Sequence, residues 1–264
     1  MSSPTDPIYI IHHIPKTGGV SLRTWLTEHL GLHQGLIHYG VAGELFCMQH
    51  RLPFLEQMSA DQLYQAEVVM GHYVTEATAE FFPEREVRRL IVLREPAKRL
   101  ISQYNHAMIF WCQGMGRDQI DFYEWFERHA VKHYNYKDAI RAQGLTPALS
   151  FQSQASLGAD YMARFISQNF QKEDWLELSP GEFASQVNTL LESFWCVGLT
   201  EKLNDFAAKL GKALDIPVNI GHENRGQQRK VYVEPDAALI DFIREHNQVD
   251  YLIYDYWKKR WDAA

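Results

Sequence analysis

Runs of apolar residues alternate with amphipathic stretches along this chain. Ile8 to Ile14 (IYIIHHI) is apolar on consecutive positions and rich in β-branched residues, which predicts a strand buried on both faces. Three more short runs share that character: Glu67 to Gly71 (EVVMG), Arg89 to Leu93 (RLIVL) and Phe194 to Leu199 (FWCVGL). Between them the period changes. Leu22, Trp25, Leu26 and Leu30 fall on one face of a helix over Leu22 to Leu30. Further helices are predicted over Ala97 to Phe110, with Pro96 at its first position where a missing N–H costs nothing, over Glu201 to Leu214, and over about Pro235 to His246. Strands alternating with helices imply an α/β domain, its central, mostly parallel sheet flanked by helices. Residues 103–175 are aromatic-rich and read as a helical elaboration on the same domain. No low-complexity linker or internal repeat interrupts the chain, so residues 1–264 are expected to form one domain.

Composition narrows the function classes. A formal net charge of −7 argues against a general nucleic-acid binder and weakens the case for a long polyanionic substrate. Three separated cysteines, Cys47, Cys112 and Cys196, make neither a disulfide framework nor a zinc site. No secretory pattern opens the chain and no apolar run approaches a membrane span, so the expectation is a soluble, cytoplasmic protein.

Pro15-Lys16-Thr17-Gly18-Gly19-Val20-Ser21 lies between the first strand and the first helix. Two glycines let the backbone approach a ligand, and a helix start offers unpaired N–H groups and partial positive charge. Lys16 adds a full charge, and Thr17 and Ser21 add hydroxyls. A phosphate or sulfate would suit such a turn; an ordinary strand-to-helix turn with an incidental lysine fits the same residues. It is not the nucleoside-triphosphate loop, in which lysine follows the last glycine, and no magnesium site is suggested. A second run, Arg94-Glu95-Pro96-Ala97-Lys98-Arg99-Leu100-Ile101-Ser102, follows the third strand. An arginine fork and a hydroxyl can hold a phosphate, although by themselves Arg94 and Arg99 read as surface charges.

The segment His13-Ile14-Pro15-Lys16-Thr17-Gly18-Gly19-Val20-Ser21-Leu22 resembles the H-I-P-K-T-G-G-T-S-L segment of sulfotransferases that use 3′-phosphoadenosine 5′-phosphosulfate (PAPS). The likeness is to the carbohydrate branch that includes heparan-sulfate 2-O-sulfotransferases and bacterial relatives. Val20 departs from the usual threonine. The run from Arg94 to Ser102 matches the family's R-[DE]-P-x-x-R-x-x-S pattern. A looser likeness covers Val197-Gly198-Leu199-Thr200-Glu201 and the polar stretch Asn224 to Lys230. The resemblance implies a P-loop-like three-layer fold. It further implies that Pro15 to Ser21 grip the 5′-phosphosulfate, that Arg94 and Ser102 hold the 3′-phosphate, and that Arg225 and Lys230 close over the nucleotide.

Gly71-His72 directly follows the second strand, and neutral imidazole is a suitable base near neutral pH. The family resemblance implies that His72 takes the acceptor proton and that Lys16 stabilises the leaving phosphate oxygen. His13 reads as a structural or supporting residue. His12 and His13 point to opposite faces of a strand, so a zinc site with His72 is not expected, and no metal is. His106, four residues beyond Ser102, is the reserve base. The expected activity is transfer of a sulfuryl group from PAPS to an acceptor hydroxyl, leaving 3′-phosphoadenosine 5′-phosphate (PAP). A carbohydrate or small hydroxylated metabolite is the expected acceptor. A module of the same fold that binds PAP without chemistry is the alternative. Phe110, Trp111, Phe122, Tyr123, Trp125, Phe126 and Tyr134 are either helix core or the lining of an acceptor pocket.

Overall fold

The computed structural model describes residues 6–32, 34–39, 55, 58–72, 74–114, 116, 118–127, 159–220 and 231–263. The elements run β1 (Ile8–His12), α1 (Gly19–Leu30), β2 (Leu36–Tyr39), α2 (Ala60–Gln65), β3 (Val68–Gly71), β4 (Val87–Leu93), α3 (Pro96–Met108), α4 (Phe122–Phe126), α5 (Tyr161–Asn169), α6 (Pro180–Glu192), β5 (Cys196–Leu199), α7 (Leu203–Leu214), α8 (Ala237–His246) and α9 (Gln248–Asp262). The fold is α/β: a five-stranded, all-parallel sheet in the order β2-β3-β1-β4-β5, flanked by helices as in a three-layer domain.

The chain divides into two compact units. The first comprises residues 1–93, 169–171 and 189–226, and carries the whole sheet. β1 lies at its centre, in register with β3 (Tyr9 opposite Val68) and with β4 (Ile8 opposite Val87). Every β1 residue is buried, as its unbroken apolar pattern requires. β2 was not among the predicted strands. It pairs with β3, and in its Leu-Ile-His-Tyr the apolar run stops at two residues before His38, so it lacks the continuous apolar pattern of β3. Trp25 of α1 is buried, and its indole N–H donates to the carbonyl of Pro217, just beyond α7, at 2.9 Å. A buried Trp with its one donor satisfied costs little polar desolvation and adds a large apolar surface. Cys196 is a buried free thiol.

The second unit comprises residues 94–168, 172–188 and 227–264. Its core joins α3, α4 and α8 through Leu100, Tyr104, Met108, Phe122, Trp125, Phe126, Leu239 and Ile243. Of the aromatic segment, Phe122, Trp125 and Phe126 are therefore core, while Tyr123 is largely exposed. Tyr134 lies outside the described residues. Pro96 occupies the first turn of α3 as the sequence predicts, and the Glu95 side chain caps it by accepting from the Lys98 N–H at 2.7 Å.

Arg99 corrects the reading as a surface charge: it is fully buried. Its guanidinium stands 4.7 Å from the Tyr161 ring centroid. Burial pulls its pKa down to about 10, and the nearby Asp250 carboxylate works against that. Two helix starts in this unit cap each other. Asp250, in the first turn of α9, accepts from the N–H groups of Met162 and Ala163 at the start of α5, at 3.0 and 2.8 Å. Asp160, just before α5, accepts from the Asp250 N–H at 3.0 Å. No helix among the described residues is long and apolar enough to cross a membrane.

Candidate functional site

The candidate site is built within the first unit, on residues that follow the carboxyl ends of β1 and β3. β1 ends at His12, and the chain turns through 13–18 into α1. Two residues of that turn take left-handed backbone, Lys16 at φ 71° and Gly18 at φ 92°. Glycine adopts that geometry freely; lysine does so at a cost of about 1–2 kcal/mol. Gly18 is the residue before α1 and supplies no side-chain cap, and the first turn of α1 carries no acidic residue. The first intrahelical bond runs from Leu22 N–H to Gly18 C=O, so the N–H groups of Gly19, Val20 and Ser21 precede the helical ladder. An uncapped N-terminus with a lysine in its approach favours an anion.

The predicted loop residues divide by direction. Thr17 is buried, and its hydroxyl donates to the Ile14 carbonyl at 2.8 Å, which closes the turn on itself. That hydroxyl proton is spent inside the loop. Ser21 is buried, Pro15 and Lys16 are half-buried, and Val20 is exposed at the helix start. Gly19 is required by contact: a Cβ there would fall 1.6 Å from Nε2 of His13, so the His13 ring rests directly on the start of α1.

His72 follows β3 and reaches back to β1. Its Nδ1 lies 2.8 Å from the His13 carbonyl oxygen. A carbonyl only accepts, so Nδ1 carries the proton and the lone pair is on Nε2. Burial lowers the His72 pKa below its ordinary value; the bond to His13 opposes this, and the charges of Lys16 and Arg23 add to the lowering. His72 is thus neutral at pH 7, with Nε2 able to take a proton. The His13 ring lies against His72, tilted by 30°, with centroids 4.2 Å apart. Burial holds His13 well below the usual imidazole range, and His72, His38, Arg23 and Lys16 push the same way.

Reading the sequence missed Arg23 and His38. Arg23 stands four residues after Gly19, hence on the same helix face, which the periodicity of α1 could have revealed. His38 belongs to the unpredicted β2 and is buried. His12 does point away from His13, as strand alternation requires. It packs against Phe170 and Phe194, and burial with the Arg89 charge lowers its pKa to about 3.

In the second unit, Arg94 is half-buried directly after the end of β4, and Ser102 is partly exposed on α3. His106 is exposed, one turn beyond Ser102. Arg225 and Lys230 lie outside the described residues, as do Arg117, Arg128, Lys132, Lys137 and Cys47. No group of three or more metal-ligating side chains occurs among the described residues. No protein-family model matches the chain, and no curated protein matches it.

Proposed function

We propose that this protein is a PAPS-dependent sulfotransferase acting on an acceptor hydroxyl, with His72 as general base. One observation carries the reading. A neutral imidazole, its tautomer fixed with Nε2 open, stands within the electrostatic reach of Lys16 beside an uncapped helix start. Base and anion loop together are what sulfuryl transfer needs, and the resemblance of residues 13–22 and 94–102 to the sulfotransferase motifs supplies the nucleotide.

PAPS, when bound, supplies the sulfuryl group: a bond forms from the acceptor oxygen to sulfur, and the bond from sulfur to the 5′-phosphate oxygen breaks, leaving PAP. The residues of the chain serve the proton and the charge. His72 Nε2 accepts the acceptor hydroxyl's proton, and the resulting imidazolium is held by the bond from Nδ1–H to the His13 carbonyl. The N–H groups of Gly19 to Ser21 bind the 5′-phosphate end, and the Lys16 ammonium offsets charge that grows on the departing oxygen. Arg94 and Ser102 are the proposed holders of the 3′-phosphate. A sulfuryl group carries less charge than a phosphoryl group, so a metal is less necessary to neutralise it.

The test is calorimetric titration of the full chain with PAP, with ADP and with adenosine 5′-phosphosulfate. The expected result is micromolar PAP binding, weakened about 10-fold or more for the two ligands without a 3′-phosphate, since a charge-assisted pair is worth about 1.5–3 kcal/mol. PAP binding no tighter than ADP binding would overturn the nucleotide assignment. PAP binding without turnover of PAPS on any hydroxyl acceptor would leave a binding module instead.

A further inference from the structure

His13 touches His72 twice. Its carbonyl accepts the Nδ1–H at 2.8 Å, and its ring lies over the His72 ring, 4.2 Å between centroids at 30° between planes. Its backbone N–H donates to the Gly71 carbonyl at 3.1 Å, so the chain before His72 is tied down as well. The His13 ring also meets Gly19, where a Cβ would fall 1.6 Å from Nε2 and 1.9 Å from Cε1.

The ring's own polar chemistry does not explain its place. Nδ1 of His13 is buried and has no hydrogen-bond partner among the described residues. An unmet buried polar atom costs free energy, so the contacts made by the ring faces must outweigh it. The groups acting on the ring are His72, His38, Arg23 and Lys16, and none is a carboxylate. In a serine-protease-type triad a carboxylate orients the base; here, among the described residues, the carbonyl and ring of His13 make that contact.

We propose that His13 is the positioning residue of the base: its carbonyl fixes which nitrogen of His72 is protonated, and its ring, seated on Gly19, fixes the plane of the imidazole relative to the anion loop. The inference rests on the reading of His72 as the base, and it deepens that reading. Rotation about the last side-chain torsion of histidine is broad and two-fold, so one hydrogen bond leaves the ring free to sway. A flat neighbour removes that freedom. A side chain at residue 19 would evict the neighbour, and this couples the glycine of the loop to the geometry of the base.

The test is long-range ¹H–¹⁵N spectroscopy of the full chain labelled at histidine, with His72 assigned by its loss in His72→Asn. At pH 7 the wild type should show His72 protonated at Nδ1 alone. His13→Leu keeps the carbonyl and removes the ring. Because the carbonyl stays, His72 should remain protonated at Nδ1, but loss of the ring should move its titration midpoint by about half a unit or more. His13→Phe restores a flat ring and should return the midpoint to the wild-type value. If His13→Leu does not fold, His13→Gln gives the same comparison. A wild-type midpoint in the ring-less variant, or a wild-type His72 protonated at Nε2, would overturn the proposal. These spectra need no nucleotide: failed PAP binding would count against the sulfotransferase reading and leave the result on His13 standing.

Discussion

Lys16 is held in left-handed backbone, where lysine has no intrinsic reason to be. Methionine is also an unbranched side chain with a Cβ, so Lys16→Met leaves the backbone cost nearly unchanged, keeps an apolar stem of similar length and removes the ammonium. That makes it a clean probe of charge. If the ammonium acts on the departing oxygen, its attraction is greatest in the transition state and small in the ground state. Turnover should then fall by about 10²–10³-fold while PAP affinity changes by less than about tenfold. The measurement is kcat beside calorimetric affinity for the same variant; an unchanged kcat would remove Lys16 from the chemistry. The residue scale is also where the sequence spoke most clearly. Lys16, Gly18, Gly19 and His72 follow apolar runs that only buried strands explain, so their place at the strand ends was legible. What was illegible was direction. Nothing in a string of letters says that Thr17 turns its hydroxyl onto the Ile14 carbonyl, or that His13 lies flat on Gly19.

At the scale of elements, β4 and the start of α3 hold the second motif. Leu93 ends β4, Glu95 caps α3 and Pro96 enters it, so Arg94 lies between the last strand residue and the helix cap. The Tyr251 hydroxyl donates to the other Glu95 oxygen at 2.7 Å, which fixes the cap from α9. The Glu95 charge is therefore engaged with its own helix and with Tyr251. Arg94→Ala should leave this frame intact and weaken PAP binding by about 10- to 100-fold, the worth of a charge-assisted phosphate contact. ADP affinity should stay within about threefold, since ADP lacks the 3′-phosphate. Equal losses for both ligands would reassign Arg94 to a general structural role. The pattern R-E-P was legible because Pro at a helix start and Arg after a strand each carry a local rule. β2 was not, because its apolar run stops at Leu36 and Ile37 before His38, and His38 was lost with it.

At the scale of the molecule, the order of strands and helices gave the α/β class from periodicity alone, while the polar joint of the second unit gave no warning. Asp160 and Asp250 lie 90 positions apart, and each caps the helix that carries or follows the other. Asp160 also donates its own N–H to the Asn247 side chain at 2.9 Å, and Asn247 donates back to Ile243, which closes the network. Two carboxylates held this close beneath the surface cannot both ionise freely. Burial, and then the Asp250 charge, raise the pKa of Asp160 to about 7; Arg164 and the N–H groups of Asp250 and Val249 oppose the rise. Asp250 is also raised by burial, against Arg99, Arg164 and the α5 N–H groups. A carboxyl whose folded pKa exceeds its unfolded value favours folding in its protonated form. Its contribution is complete below about pH 4 and is lost as pH climbs through about 7. The window is therefore about pH 4 to 7, and stability in urea should fall across it by about 1–3 kcal/mol. Asp160→Asn keeps an oxygen to accept from the Asp250 N–H but has no proton to lose. It should flatten the decline over that window without lowering the midpoint at pH 5. A variant that declines as steeply as the wild type would place the titration elsewhere in the chain.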